Sequence, residues 1–257
     1  MATKLARKAA PRAATTVTGH APRVTAAADA ILAKTDMLRA NPYFRALKTG
    51  SMSLAQFRRS QEQFFWAVSF FSRPMAAMVA RIPDARARLE ILHNVVEEHG
   101  DFSRDAFHEE TFRRFLSTIG STADLDSLGL HPALRAFNAV LTASCVLDEM
   151  EVGIGCMGII EYAFSGISTL IGKSVVDRGW VKKDKLVHYS LHAKIDPRHA
   201  EEFFAVVEPR WADPARRYYI EQGLALGSYV FDRLYRDLHA DALAAHPKPR
   251  KRSQSSL

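Results

Sequence analysis

Cysteine is nearly absent: the 257 residues contain two, Cys145 and Cys156. Both lie in apolar helical runs without the paired spacing of a zinc site. That excludes a disulfide framework, and buried free thiols in a reducing cytoplasm are expected. An unbroken apolar run long enough for a bilayer is also missing. The longest, "MEVGIGCMGIIEYAFSGISTLIG", is interrupted by Glu151 and Glu161 and is rich in glycine, which suits close helix packing. No membrane association is expected. Strand-like alternation of useful length is lacking as well, which argues against a sheet. Acidic residues are absent from both ends of the chain. The first 23 residues carry Lys4, Arg7, Lys8, Arg12 and Arg23, and the tail after Pro247 carries Lys248, Arg250, Lys251 and Arg252. Taking these nine charges from the net +7 leaves −2 for the body, so the basicity belongs to the tails. No basic stripe remains for a specific nucleic-acid partner. Residues 1–22 and 246–257 are expected to be solvated, disordered tails. The first of them lacks the apolar core of a secretory signal.

What the sequence does contain is helical periodicity. From residue 23 to 245 nearly every segment repeats its apolar positions at 3.6-residue spacing. Helices are predicted over 24–40, 53–82, 84–99, 104–119, 131–147, 150–173, 183–195, 197–208 and 213–243. Breaks fall at Pro83-Asp84, Gly100, Gly120, His131-Pro132, Gly179 and Pro209, where turn and capping chemistry places them. Pro74 interrupts the second long helix and should bend it. No internal repeat or linker appears, so 23–245 is expected to form one all-α domain. The aromatic segment holding Phe57, Phe64, Phe65, Trp66, Phe70 and Phe71 is expected to be core, with some rings walling a pocket.

Several groups do not fit simple solvation. In "LHAKIDPRHAEE", His192, Asp196 and His199 stand at offsets of zero, four and seven, which return to one helix face. Such a face could ligate a metal. Asp196 before Pro197 also fits a helix N-cap, a reading that needs no metal. Glu161 lies in the apolar run "GCMGIIEYAFSGIS", where an inward carboxylate costs several kcal/mol unless paired, protonated or bound to a cation. In "HNVVEEHGDFSRDAFHEETFRRFL", Glu97 and Glu98 end one helix and His108 opens the next, so one glutamate and His108 can meet across the turn. Glu109 and Glu110 serve the new helix N-terminus electrostatically. Three carboxylates and three imidazoles from several helices make a suitable set for two divalent iron ions.

In order and spacing these residues resemble the haem-oxygenase-like di-iron oxidases and oxygenases, which share their fold with the thiaminase and PQQ-synthesis C proteins. "NVVEEHG" matches the family's Asn-x-x-x-Glu and selects Glu98; "HEETFRRFL" gives His108; "GIIEY" gives Glu161; and "HAKIDPRH" gives His192, Asp196 and His199. The resemblance covers roughly residues 40 to 240. It implies a single bundle of about seven core helices, with the six residues as metal ligands and catalytic centre. It further implies two Fe(II) ions, manganese being an alternative occupant of one site, and O2 as co-substrate. The partners it implies are a small amine, amino-acid or carboxylic-acid substrate, an external electron donor and a second copy of the chain in a homodimer. Arg, Lys or Tyr side chains in the pocket would orient the substrate, and Pro197 would aim His199. One subgroup resembles a self-sacrificing 4-aminobenzoate synthase. It has a tyrosine directly before the buried glutamate and a lysine ten residues after it, where this chain has Ile160 and Ile171; its early tyrosine aligns with Phe44, beside Tyr43. A ferritin-like bundle would want two Glu-x-x-His pairs, and only Glu90 and His93 fit. A metal-free relative would not need all six residues, and a helical adaptor would need none of them.

Overall fold

The computed structural model describes residues 20–247, so nearly all of both basic tails lies outside the described residues. Within them the chain is all-helical, as expected, and no strand occurs among the described residues. The helices are α1 (Pro22–Thr35), α2 (Met37–Ala40), α3 (Pro42–Lys48), α4 (Leu54–Val79), α5 (Ala85–Glu98), α6 (His108–Thr118), α7 (Pro132–Val146), α8 (Met150–Asp177), α9 (Val187–Val207) and α10 (Pro214–Ala245).

Local chemistry sets most of these boundaries. Ser53 and Gln56 form a reciprocal capping box at the start of α4. Asp84 accepts the Arg86 and Ala87 amides to open α5, while the His131 and Asp213 side chains cap α7 and α10 ahead of their first-turn prolines. The expected helix over 24–40 ends instead at Thr35, because Asp36 turns left-handed (φ 47°), and the chain resumes as α2 and α3. Pro74 is accommodated inside a continuous α4.

The larger departure concerns the two helices expected over 183–195 and 197–208. They are one helix, α9, running through Pro197. Proline at this position leaves the Ala193 carbonyl without its helical donor, and the Ser165 hydroxyl of α8 donates to that oxygen at 3.5 Å. Asp196 is therefore no N-cap; it sits in mid-helix, wholly buried.

The most apolar helix, α8, lies between α9 and α10, and α4 packs on α5, α6, α7 and α10 around the rest of the core. By length and composition α8 could cross a membrane, but 67% of its most apolar window is buried in the fold, which makes it a core helix. It meets α10 at backbone distance: a Cβ on Gly223 would lie 2.3 Å from the Val152 carbonyl oxygen. Cys145 and Cys156 are buried free thiols, as expected.

Candidate metal centre

Four helices converge on one buried cluster. The last residue of α5 brings Glu98, the first residue of α6 brings His108, the middle of α8 brings Glu161, and one face of α9 brings His192, Asp196 and His199. Between α5 and α6 the chain reverses through Gly100, Asp101 and Phe102, all with positive φ (57°, 51° and 67°). A Cβ at Gly100 would lie 2.4 Å from the Ala106 carbonyl carbon, so only glycine lets the chain return tightly enough to bring His108 onto Glu98.

The structure brings all six sequence-predicted residues together, each no more than 8% exposed. One ligand-capable atom each from Glu98, Glu161 and His199 lies within 4.8 Å of the others. His108 Nδ1 stands 2.8 Å from Glu98 Oε1, poorly aligned for a hydrogen bond, and its ring meets the His192 ring edge-on at 4.6 Å. His192 Nδ1 and Asp196 Oδ1 are hydrogen-bonded at 2.8 Å. His199 Nδ1 is 3.8 Å from Glu161 Oε2, an ion-pair separation too long for a hydrogen bond.

Five buried atoms of the cluster have no hydrogen-bond partner: His108 Nδ1, Glu161 Oε1, His192 Nε2, Asp196 Oδ2 and His199 Nδ1. Burying so many polar atoms without hydrogen bonds is costly in a core. Their convergence, from the donor types iron takes, fits a metal centre.

The electrostatics point the same way. Burial, against the pull of His199, pushes the Glu161 carboxyl up to about 7, with the Asp196 and Glu98 charges adding to the rise. Burial likewise holds Asp196 well above its ordinary value. For His199 burial works downward, but the nearby carboxylates of Glu161, Glu97 and Asp196 overcome it and hold the imidazole up at about 10. Glu98 is drawn down to about 2 because His108 outweighs its burial, and burial together with the His108 charge lowers His192 to about 3. Without cations the cluster thus retains protons on several groups that a metal would displace.

Residues outside the predicted set complete the surroundings. Only one of Glu97 and Glu98 was expected to face inward, yet both reach the site from different sides: Glu97 Oε2 accepts His199 Nε2–H at 2.8 Å, which turns Nδ1 toward the cluster. Burial works to raise Glu97, but His199 and Arg198 hold it down at about 2. Arg198 donates to Glu97 at 2.6 Å and to Glu202 at 2.8 Å, and Asn94 donates to Glu202 at 2.9 Å, locking α5 to α9. His188, one turn before His192, is fully buried. Its offset on the α9 face was the signal that could have found it. The Glu90-His93 pair does not join the cluster; His93 is part-exposed, 3.6 Å from Glu97.

Beside the centre lies a small, mainly apolar cleft. Its walls are Phe64, Ala67, Val68 and Phe71 of α4, Phe137 of α7, Ile160 and Phe164 of α8 and Phe231 of α10, with Glu98, Glu161, His188 and His192 at the metal end. The aromatic segment therefore serves both expected roles: Phe57 and Phe65 are core, and Phe64 and Phe71 line the cleft. The expected Arg, Lys or Tyr is not there; among the described residues, none of the lining side chains is one of these.

Comparison with known proteins agrees with this picture. A family profile described as an iron-containing redox enzyme matches residues 58–227. A 4-aminobenzoate synthase of Chlamydia muridarum is 21% identical over 182 residues, 70% of this chain and 75% of that protein. A domain of unknown function with a haem-oxygenase-like fold from Shewanella denitrificans superposes with a TM-score of 0.70 at 16% identity, covering 92% of this chain and 97% of that one. A CADD-like protein of unknown function from Nostoc punctiforme superposes with a TM-score of 0.71 at 16% identity, covering 88% and 99%.

Proposed function

Because this chain belongs to the iron-containing redox enzymes and has a haem-oxygenase-like fold, we propose that it is a non-haem di-iron oxidase or oxygenase acting on a small organic substrate. The observation that carries this reading is the convergence of five buried atoms without a hydrogen-bond partner, from three histidines, a glutamate and an aspartate, with Glu98 among them. Glu98, His108, Glu161, His192, Asp196 and His199 would hold the two ferrous ions, manganese being an alternative in one site. When bound, the ions supply electrons and open coordination positions for dioxygen.

The protein's own share is geometry and exclusion of water. Glu97 fixes the His199 tautomer so that Nδ1 faces the metal, and Asp196 does the same for His192 Nε2. Phe64, Phe71, Phe164 and Phe231 keep the neighbouring cleft apolar, which suppresses side reactions with water. The apolar walls suit an amine, amino acid or carboxylic acid with an apolar body, with N-oxygenation or carbon–carbon cleavage as the outcome. A cytoplasmic homodimer fed by an external electron donor completes the proposal.

The relatives named 4-aminobenzoate synthase raise a second reading, that of a self-sacrificing synthase. Ile160 lines the cleft and Ile171 is buried where that subgroup has tyrosine and lysine. Tyr43 spends its hydroxyl on Ser60 and Gln61. The external-substrate oxygenase is therefore favoured.

Anoxic Fe(II) titration followed by rapid mixing with oxygenated buffer tests the reading. Two irons per chain and an oxygen-dependent coloured transient are expected. A protein that takes up no iron and gives no transient is instead a metal-free relative or an adaptor.

A further inference from the structure

His188 is the one buried polar group of the cleft that the proposed iron set does not use. Its ring is held edge-on by Phe112 at 4.8 Å and Tyr189 at 5.3 Å, and it lies 4.3 Å from the His192 ring. Nδ1 is 3.0 Å from Thr111 Oγ1. The Thr111 hydroxyl has a single proton, which it gives to the His108 carbonyl at 2.8 Å, so at His188 it must accept, from Nδ1–H. That fixes the tautomer and leaves Nε2 with an unshared lone pair. Nε2 is buried and has no protein partner.

We infer that His188 Nε2 is the substrate-positioning acceptor of the cleft, receiving an N–H or O–H from the reacting end of an otherwise apolar molecule and holding that end beside the metal centre. This rests on the oxygenase reading and narrows its substrate class. Among the described residues no lysine or arginine lines the cleft to neutralise a carboxylate, whereas an amine or hydroxyl finds its acceptor ready made. The rest of the substrate then runs along Phe64, Phe71 and Phe231.

The test uses two probes, 4-phenylbutan-1-ol and its methyl ether, which keeps the oxygen but lacks the donor and is one methyl larger. Binding is measured by calorimetry on the metal-free and the anoxically Fe(II)-loaded protein, with iron counted separately. Wild-type protein should hold the alcohol about fivefold tighter than the ether. His188→Phe should abolish that preference with iron uptake unchanged, and His188→Gln, whose amide oxygen can replace Nε2, should restore most of it. A preference that survives His188→Phe overturns the inference, as does failure of both probes to bind wild-type protein. Loss of iron in a folded His188→Phe variant also overturns it, because His188 would then be a ligand. If wild-type protein takes up no iron, the oxygenase reading fails, while the preference in the metal-free protein still reports on His188.

Discussion

Glu161 and Glu97 are both glutamates within reach of His199, yet they face it from opposite sides and should fail differently. Glu161 offers a partnerless oxygen inside the cluster, whereas Glu97 holds the far nitrogen of the ring. Glu161→Ala should therefore abolish dimetal binding while the far-ultraviolet circular dichroism stays helical; unchanged iron stoichiometry and turnover would refute its place as a ligand. Glu97→Gln keeps an acceptor for His199 but loses the charge paired with Arg198. Its saturating iron count should stay at the wild-type value, with affinity reduced roughly 10- to 100-fold, as read by competition with a chelator. Helical spacing marked His192, Asp196 and His199 in the sequence, and an acid stranded in an apolar run marked Glu161, whereas Glu98 and His108 were picked out by the family motif across the turn. Glu97 was not, because at a helix end two adjacent side chains can approach one site from different directions, and periodicity assigns only one of them. His188 shares the α9 face, but a lone histidine one turn away reads equally well as core.

At the level of elements, the tight return between α5 and α6 decides whether Glu98 and His108 meet. Gly100→Ala would force a Cβ to within 2.4 Å of the Ala106 carbonyl carbon at a left-handed residue. A loss of about 1–3 kcal/mol in denaturant unfolding is expected, together with weakened iron binding, since His108 would be displaced. A variant with wild-type stability and iron affinity would show that the loop does not position His108. Helix existence was readable throughout from the 3.6-residue period, and α5 and α7 begin at the breaks expected at Pro83-Asp84 and His131-Pro132. The division of α9 was misjudged because tertiary packing can hold a helix through a proline, as Pro74 in α4 also shows. In α9 Ser165, on a neighbouring helix, donates to the freed Ala193 carbonyl, and no local pattern could reveal it. The left-handed Asp36 that separates α1 from α2 was hidden for a related reason: aspartate tolerates that conformation without advertising it.

For the molecule as a whole, the metal-free fold holds protons that an unfolded chain would release, and that links stability to pH. His199, raised to about 10 against an ordinary 6.5, contributes stability that is fully present below 6.5 and fades as pH climbs toward 10. Asp196, held well above its ordinary value, acts with the same sign. Glu161, raised to about 7, has lost its contribution by neutral pH. Glu97 and Glu98, held at about 2, act with the opposite sign, but only as pH falls below the ordinary glutamate value. Between pH 7 and 9 the metal-free protein should therefore lose stability, by about 2 kcal/mol from His199 or roughly 5 °C in melting temperature. Iron reverses the logic, because ligands must give up their protons to bind it. Fe(II) addition to an anoxic, weakly buffered sample at pH 7.5 should release protons, detectable with an indicator dye, and the gain in melting temperature on loading should grow from pH 7 to 9. A gain independent of pH, with no proton release, would mean that the metal binds elsewhere than at the protonated cluster of α8 and α9.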